Sequence, residues 1–136
     1  MSAAWRKLGQ IYCPPLSPLH PKLATHAANP VAHHLEADTF RIFYNGRDAQ
    51  QRSSIGAIDF DLRTQKLVHE FETPFFVHGP EGSYYANGMS LGNICHIDGS
   101  PLLLFMGWEA TGDGRWRGHI GGLAVRPDAT LELERM

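Results

Sequence analysis

The chain has 136 residues, 43% apolar and 19% charged, with a formal net charge of -2 and a pI near 6.4. That length suits one domain able to bury a core, and that charge gives no electrostatic reason to expect nucleic acid or an anionic membrane as partner. Nine prolines and fourteen glycines favour short strands joined by turns over long helices.

Trp5–Tyr12 alternates weakly, with Leu8, Ile11 and Tyr12 apolar, and reads as a short strand that stops at Pro14-Pro15. A Pro-rich crossing, Pro14–Pro21, follows. Val31–Leu35 reads as a strand. Phe40–Gly46 is the clearest one, setting Phe40, Ile42 and Tyr44 against Arg41, Phe43 and Asn45. Ser54–Phe60 and Gln65–Phe71 complete a first meander. Met89–Ile97, Leu102–Trp108, His119–Val125 and Thr130–Glu134 make a second, whose longer connection Ala110–Arg117 is rich in Gly, Thr and Asp. No segment sustains a 3.6-residue apolar period, so very little helix is expected.

The two halves repeat one another. Asn29 matches Asn87 at an offset of 58, Gly46 matches Gly107 at 61, and Gly56 matches Gly121 at 65. A period of about 60 residues built from short strands is the signature of a radial or stacked β-repeat. The expected fold is all-β, two four-stranded antiparallel propeller-like blades plus an N-terminal strand, with a β-sandwich as the alternative. One domain over 1–136 then divides into the strand and crossing at 1–21, a first repeat at 22–75 and a second at 76–136.

In such a meander the end of the second strand lies beside the start of the first. That brings Gly46-Arg47-Asp48 towards Asn29-Pro30, and Gly107-Trp108-Glu109 towards Asn87-Gly88, on one rim. Arg52, Trp116 and Arg117 sit on loops over the same rim, and His26 lies just before Asn29. Asn29, Arg47, Asn87, Trp108, Trp116 and His26 are the candidate substrate-binding residues. Indole faces stack on the C–H faces of sugars, while amides, carboxylates and guanidinium groups take hydroxyls. Asp48 and Glu109 each stand two residues after a repeat glycine and are the candidate catalytic pair, since glycoside hydrolysis uses two carboxylates. Plainer roles compete: Asp48 as a turn cap, Arg47 in a surface ion pair, Trp108 in the core, Asn29 in a turn, Glu109 on a solvated loop. The eight histidines show no ligand spacing, and no metal or other cofactor is expected. Gly-x-Ser-x-Gly is absent.

The strings Trp5-Arg-Lys-Leu-Gly-Gln-Ile-Tyr12, Asn29-Pro30, Phe40-Arg-Ile-Phe-Tyr-Asn-Gly-Arg-Asp48, Ser53-Ser-Ile-Gly-Ala-Ile-Asp-Phe-Asp61, Gly107-Trp108 and Ile120-Gly-Gly-Leu-Ala-Val125 resemble the first two blades of five-bladed β-propellers of the arabinanase/β-xylosidase and mannoside-phosphorylase type. The likeness covers nearly the whole chain through short motifs. It implies a propeller fold and a sugar site at the starts of the innermost strands. That family carries acidic residues there, whereas the matching positions here are Asn29 and Asn87. An asparagine amide can neither protonate a leaving oxygen nor activate water.

The expected function is therefore a truncated glycosidase-like propeller module, a non-catalytic carbohydrate-binding or self-assembling protein. The alternative is a glycan-acting hydrolase or phosphorylase whose site is completed across an oligomer interface. Two blades leave apolar faces to cover, so a homo-oligomer is expected, as a head-to-tail ring in which Lys7–Tyr12 pairs with Thr130–Glu134 of a neighbour, or as an isologous dimer. Cys13 and Cys95 read as reduced thiols. No run of about 18 apolar residues is present, and Met1–Leu8 lacks a signal-peptide apolar core, so a cytoplasmic location without membrane partners is expected.

Overall fold

A computed structural model describes residues 4–134; Met1–Ala3 and Arg135–Met136, at the outer bounds of the first and last expected segments, lie outside the described residues. Eight strands form two four-stranded antiparallel sheets. β1 (Thr25–Glu36), β2 (Thr39–Arg47), β3 (Ser53–Asp61) and β4 (Lys66–Glu70) make the first, in that spatial order. β5 (Met89–Ile97), β6 (Ser100–Ala110), β7 (Trp116–Val125) and β8 (Leu131–Leu133) make the second. Both are meanders, and the arrangement is open. The only helical element among the described residues is the 3-10 turn Pro21–Leu23.

The alternating pattern of β2 explains its place. Phe43 faces the second sheet and Tyr44 faces the opposite way, and both are buried. Val31, Phe43, Ile55 and Ala57 of the first sheet pack with Met89, Leu91, Leu103, Phe105, Leu123 and Val125 of the second, and aromatic side chains of the 71–88 connection fill the margin. β1 and β5, the first strands of the two meanders, lie side by side across this seam.

Polar ties hold the seam at both ends. At one end, Ser53 Oγ donates to the Met89 carbonyl at 2.6 Å and accepts the Met89 N–H at 2.8 Å. Asn45 Oδ1 accepts the Leu91 N–H at 2.8 Å. At the other end, Arg41 forks onto Asp59 at 2.8 and 2.9 Å and reaches the carbonyls of Asp128 and Ala129 at 3.3 Å. The same guanidinium lies 4.6 Å from the ring centre of Phe71 and 5.2 Å from that of Phe75.

The structure corrects the expected N-terminal strand. Residues 4–12 form no ladder, and Gly9 turns the backbone at φ +87. Side chains dock the segment instead. Tyr12 lies 5.4 Å from Tyr44 and its hydroxyl donates to Glu70 at 2.7 Å. Leu23 follows it onto the outer face of the first sheet, in a space that only Gly46 and Gly56 leave open: a Cβ on Gly46 would meet Leu23 Cδ2 at 2.7 Å.

Two further differences concern strand ends. β1 begins six residues earlier than the pattern predicts and carries register breaks on both sides of Ala28, with His26 and Asn29 at positive φ. Pro30, lacking an N–H, is tolerated there because β1 is an edge strand. The expected overhanging loop 110–117 is shorter than the pattern predicts, since Glu109 pairs with Arg117 and Ala110 with Trp116 at its ends. What remains, Thr111–Arg115, closes with a Thr111 N–H to Arg115 carbonyl bond at 3.1 Å. The β2–β3 loop closes the same way, Asp48 N–H to Arg52 carbonyl at 3.0 Å. The two hairpins share a loop geometry, and the second has the longer arms.

Arg41→Met leaves Asp59 buried and unpaired, and is expected to lower stability by about 3–5 kcal/mol. Arg41→Met combined with Asp59→Leu should recover a large part of that loss. Urea unfolding of wild type and both variants measures it.

Candidate functional site

The β2–β3 loop is organised by Asp48, which is only 5% exposed. Its Oδ1 accepts the N–H groups of Gln50 at 3.0 Å and Arg52 at 2.9 Å, and its Oδ2 takes Arg52 Nε at 2.8 Å. Burial pushes this carboxyl up, but the hydrogen bonds from Arg52, the Arg52 charge and the Gln50 N–H outweigh it and hold Asp48 below the usual aspartate range. His78 Nε2 stands 3.7 Å from Asp48 Oδ2 and accepts from Lys22 Nζ at 2.9 Å, while His78 Nδ1 lies 3.1 Å from the Gly79 carbonyl. Asp48 is ionised, with both oxygens engaged, and acts as the anchor that positions Arg52.

Across the seam, Asn87 and Gly88 run beside the end of β6. The Asn87 N–H donates to the Trp108 carbonyl at 3.1 Å, Trp108 N–H to the Gly88 carbonyl at 3.0 Å, and Asn87 Oδ1 accepts from the Ala110 N–H at 3.0 Å. Trp108 is half-buried, and its indole N–H is held by Ser90 Oγ at 2.9 Å. Strand alternation puts Trp116, opposite Ala110, on the same face as Trp108 opposite Gly118. Glu109, on the other face, meets His119 at 3.0 Å.

Two adjoining cavities result. One, of about 560 Å³, is walled by Trp108 and Trp116 on one side and by Arg47, Gln51 and Arg52 on the other. The second, of about 360 Å³, contains Glu109 and the Gly79–Ser83 turn. Arg52 and Asn87 line both, so the rim is one continuous polar and aromatic groove.

Of the candidates read from sequence, Arg47, Asn87, Trp108 and Trp116 come together in the larger cavity, and Glu109 borders the smaller. Asp48 and Glu109 occupy different settings: one sits inside the loop, the other in a ladder, because the second hairpin is longer. Asn29 and His26, on the segment of β1 opposite Asn45 and Arg47, line neither cavity. Asn29 Nδ2 donates to Asn45 Oδ1 at 3.2 Å, and His26 Nδ1 contacts Thr25 Oγ1 at 2.8 Å. Sequence reasoning missed Ser90, Gln51, His78 and His119. It also passed over Asn45, which is 3% exposed with its Nδ2 lacking a partner, although alternation with Phe43 places it on the core face.

Among the described residues no group of three or more His, Cys, Asp or Glu side chains is arranged to hold a metal, and no helix is long and apolar enough to cross a membrane. No family model matches the chain. It is 38% identical over 130 residues to two proteins of Mycobacterium tuberculosis described as uncharacterized, one from strain CDC 1551 / Oshkosh and one from strain ATCC 25618 / H37Rv. The match covers 95% of this chain and 43% of each relative, so the chain spans under half the length of the curated relatives it matches.

Because Asp48 has a folded-state pKa below its unfolded value, the stability it contributes is complete above about pH 4 and is lost as pH falls through the folded value. Asp48→Asn should therefore be less stable than wild type at pH 7 by about 1–3 kcal/mol. The gap should narrow as the pH is lowered below about 4. Urea unfolding across that range gives the answer.

Proposed function

We propose that this chain is a carbohydrate-binding module made of two blades of a glycosidase-like β-propeller, which holds sugar on its rim without hydrolysing it. The observation that carries the reading is the pairing of Trp108 and Trp116 on one face of a groove whose other wall is polar. Such a groove offers stacking area for pyranose C–H faces beside amide and guanidinium donors for hydroxyls. The engaged, ionised Asp48 supports the absence of catalysis, because a general acid must hold a proton and reach the substrate.

The blade reading has its own support. Both meanders run outward from neighbouring first strands, β1 and β5, as blades do around an axis. Tyr12 and Leu23 cover the outer face of the first sheet, whereas on the corresponding face of the second Ile120 is 59% exposed beside Met106 and Trp108. We propose that self-association covers the Met106–Ile120 part of this face and leaves the Trp108–Trp116 end open to ligand. The reduced state of Cys13 and Cys95 fits a cytoplasmic setting.

A second reading has one observation in its favour. The Glu109 carboxylate, half-exposed on the groove and 3.0 Å from His119, is a plausible acid/base pair for a hydrolase or phosphorylase completed by another chain. Turnover of an oligosaccharide that Glu109→Gln abolishes would decide for it.

Trp116 is 61% exposed, so Trp116→Ala should leave the melting temperature unchanged while weakening oligosaccharide binding by about 1–3 kcal/mol. Calorimetric titration with a panel of oligosaccharides tests this, and a panel that never binds refutes the reading. Light scattering should give a mass that is a multiple of 15.1 kDa; a monomer mass would rule out self-association.

A further inference from the structure

We propose that the larger cavity takes an acidic glycan, with the carboxylate of a hexuronate residue held by Arg47 beside Arg52. The inference rests on the carbohydrate reading above and adds the chemical class of the ligand.

Three observations carry it. First, the wall of this cavity contains two guanidinium groups and no carboxylate, although the chain as a whole is net negative. The local positive charge is therefore a property of the groove. Second, the two arginines stand in different states. Arg52 is fixed from one side by Asp48 on its Nε and by Gln50 Oε1 on its Nη2 at 3.3 Å, and its charge is balanced by Asp48. Arg47 makes no ion pair among the described residues. Its single side-chain bond is a long one, 3.4 Å to Gln51 Oε1, so its charge is uncompensated. Third, the indoles of Trp108 and Trp116 border the same space, so a pyranose stacked there would bring a ring substituent within the reach of Arg47.

A planar guanidinium matches a carboxylate in a two-bond fork, and a charge-assisted pair of that kind is stronger than a hydroxyl contact. The acidic side chains of the rim set the orientation. Glu81 and Glu109 both line the adjoining cavity beyond Asn87, and repulsion directs the acid group of a ligand away from them, towards Arg47. A sulfate ester shares the anionic chemistry and can also accept a guanidinium fork, so it is titrated beside the hexuronates to tell the two apart.

The test titrates the full chain with oligogalacturonate and oligoglucuronate, each beside its methyl ester, and with a sulfated oligosaccharide. The ester keeps the shape of the sugar and removes the charge. The free acid is expected to bind about 10-fold tighter than the ester at low salt. That preference should shrink as salt is raised. Arg47→Gln should abolish it with no change in melting temperature, since Arg47 is exposed and holds nothing but Gln51. Equal binding of acid and ester overturns the acidic ligand and leaves the carbohydrate reading standing. Binding of the sulfated sugar alone overturns the hexuronate. An acid preference that survives Arg47→Gln overturns the placement. If no oligosaccharide binds, this inference and the carbohydrate reading fall together.

Discussion

Arg41 meets Asp59 within the first sheet, and the same guanidinium reaches the Asp128 and Ala129 carbonyls of the second. That one side chain decides how the two sheets face each other at the end of the seam remote from the groove. Apolar packing alone is non-directional and tolerates sliding, whereas a forked ion pair with aromatic rings beside it does not. Ser53 and Asn45 do the equivalent work at the groove end by bonding the backbone of β5. Between these ties Phe43, Ile55, Met89 and Phe105 supply the burial. The groove exists because the seam cannot rotate: its two walls belong to different sheets.

The same logic repeats on a smaller scale in the β2–β3 loop. Asp48 satisfies two backbone N–H groups and one guanidinium, and it thereby converts a flexible five-residue connection into a rigid wall. His78 and Lys22 join that network from the 71–88 connection and the 3-10 turn, so segments far apart in sequence converge on one carboxylate. Asp48, a candidate catalytic acid by sequence, is the keystone of the loop. Chemistry and support place opposite demands on a carboxyl group, and the hydrogen bonds at Asp48 meet the second.

Much of the architecture was legible in the residues. Both meanders and all eight strands follow from period-2 alternation. The match of Gly46 with Gly107 does not carry over into place: Gly46 leaves room for Leu23 on the outer face of its sheet, whereas Gly107, in line with Phe105, leaves room for Tyr84 on the core face. Alternation is a local property and reports on strands faithfully. The N-terminal strand was misread because a strand needs a partner as well as a pattern, and partnership is not local. Trp108, Trp116, Arg47 and Asn87 gathered as the rim argument expects, since hairpin topology fixes which strand ends meet. The symmetry drawn between Asp48 and Glu109 did not translate into similar settings. Equal distance from a glycine says nothing about where a hairpin stops, and the second ladder runs past Glu109 while the first ends before Asp48.

The irregular course of β1 has a consequence for how copies of this protein meet. The strand holds Pro30, three breaks in its register with β2 and two residues at positive φ, so its outer edge presents no continuous row of N–H and C=O groups to a stranger. At the far side of the second sheet β8 is three residues long, too short to template another chain. Fibril-like polymerisation through edge pairing is thereby discouraged at both of these margins. The self-association proposed above would then fall to contact between sheet faces, where a two-fold axis closes the assembly.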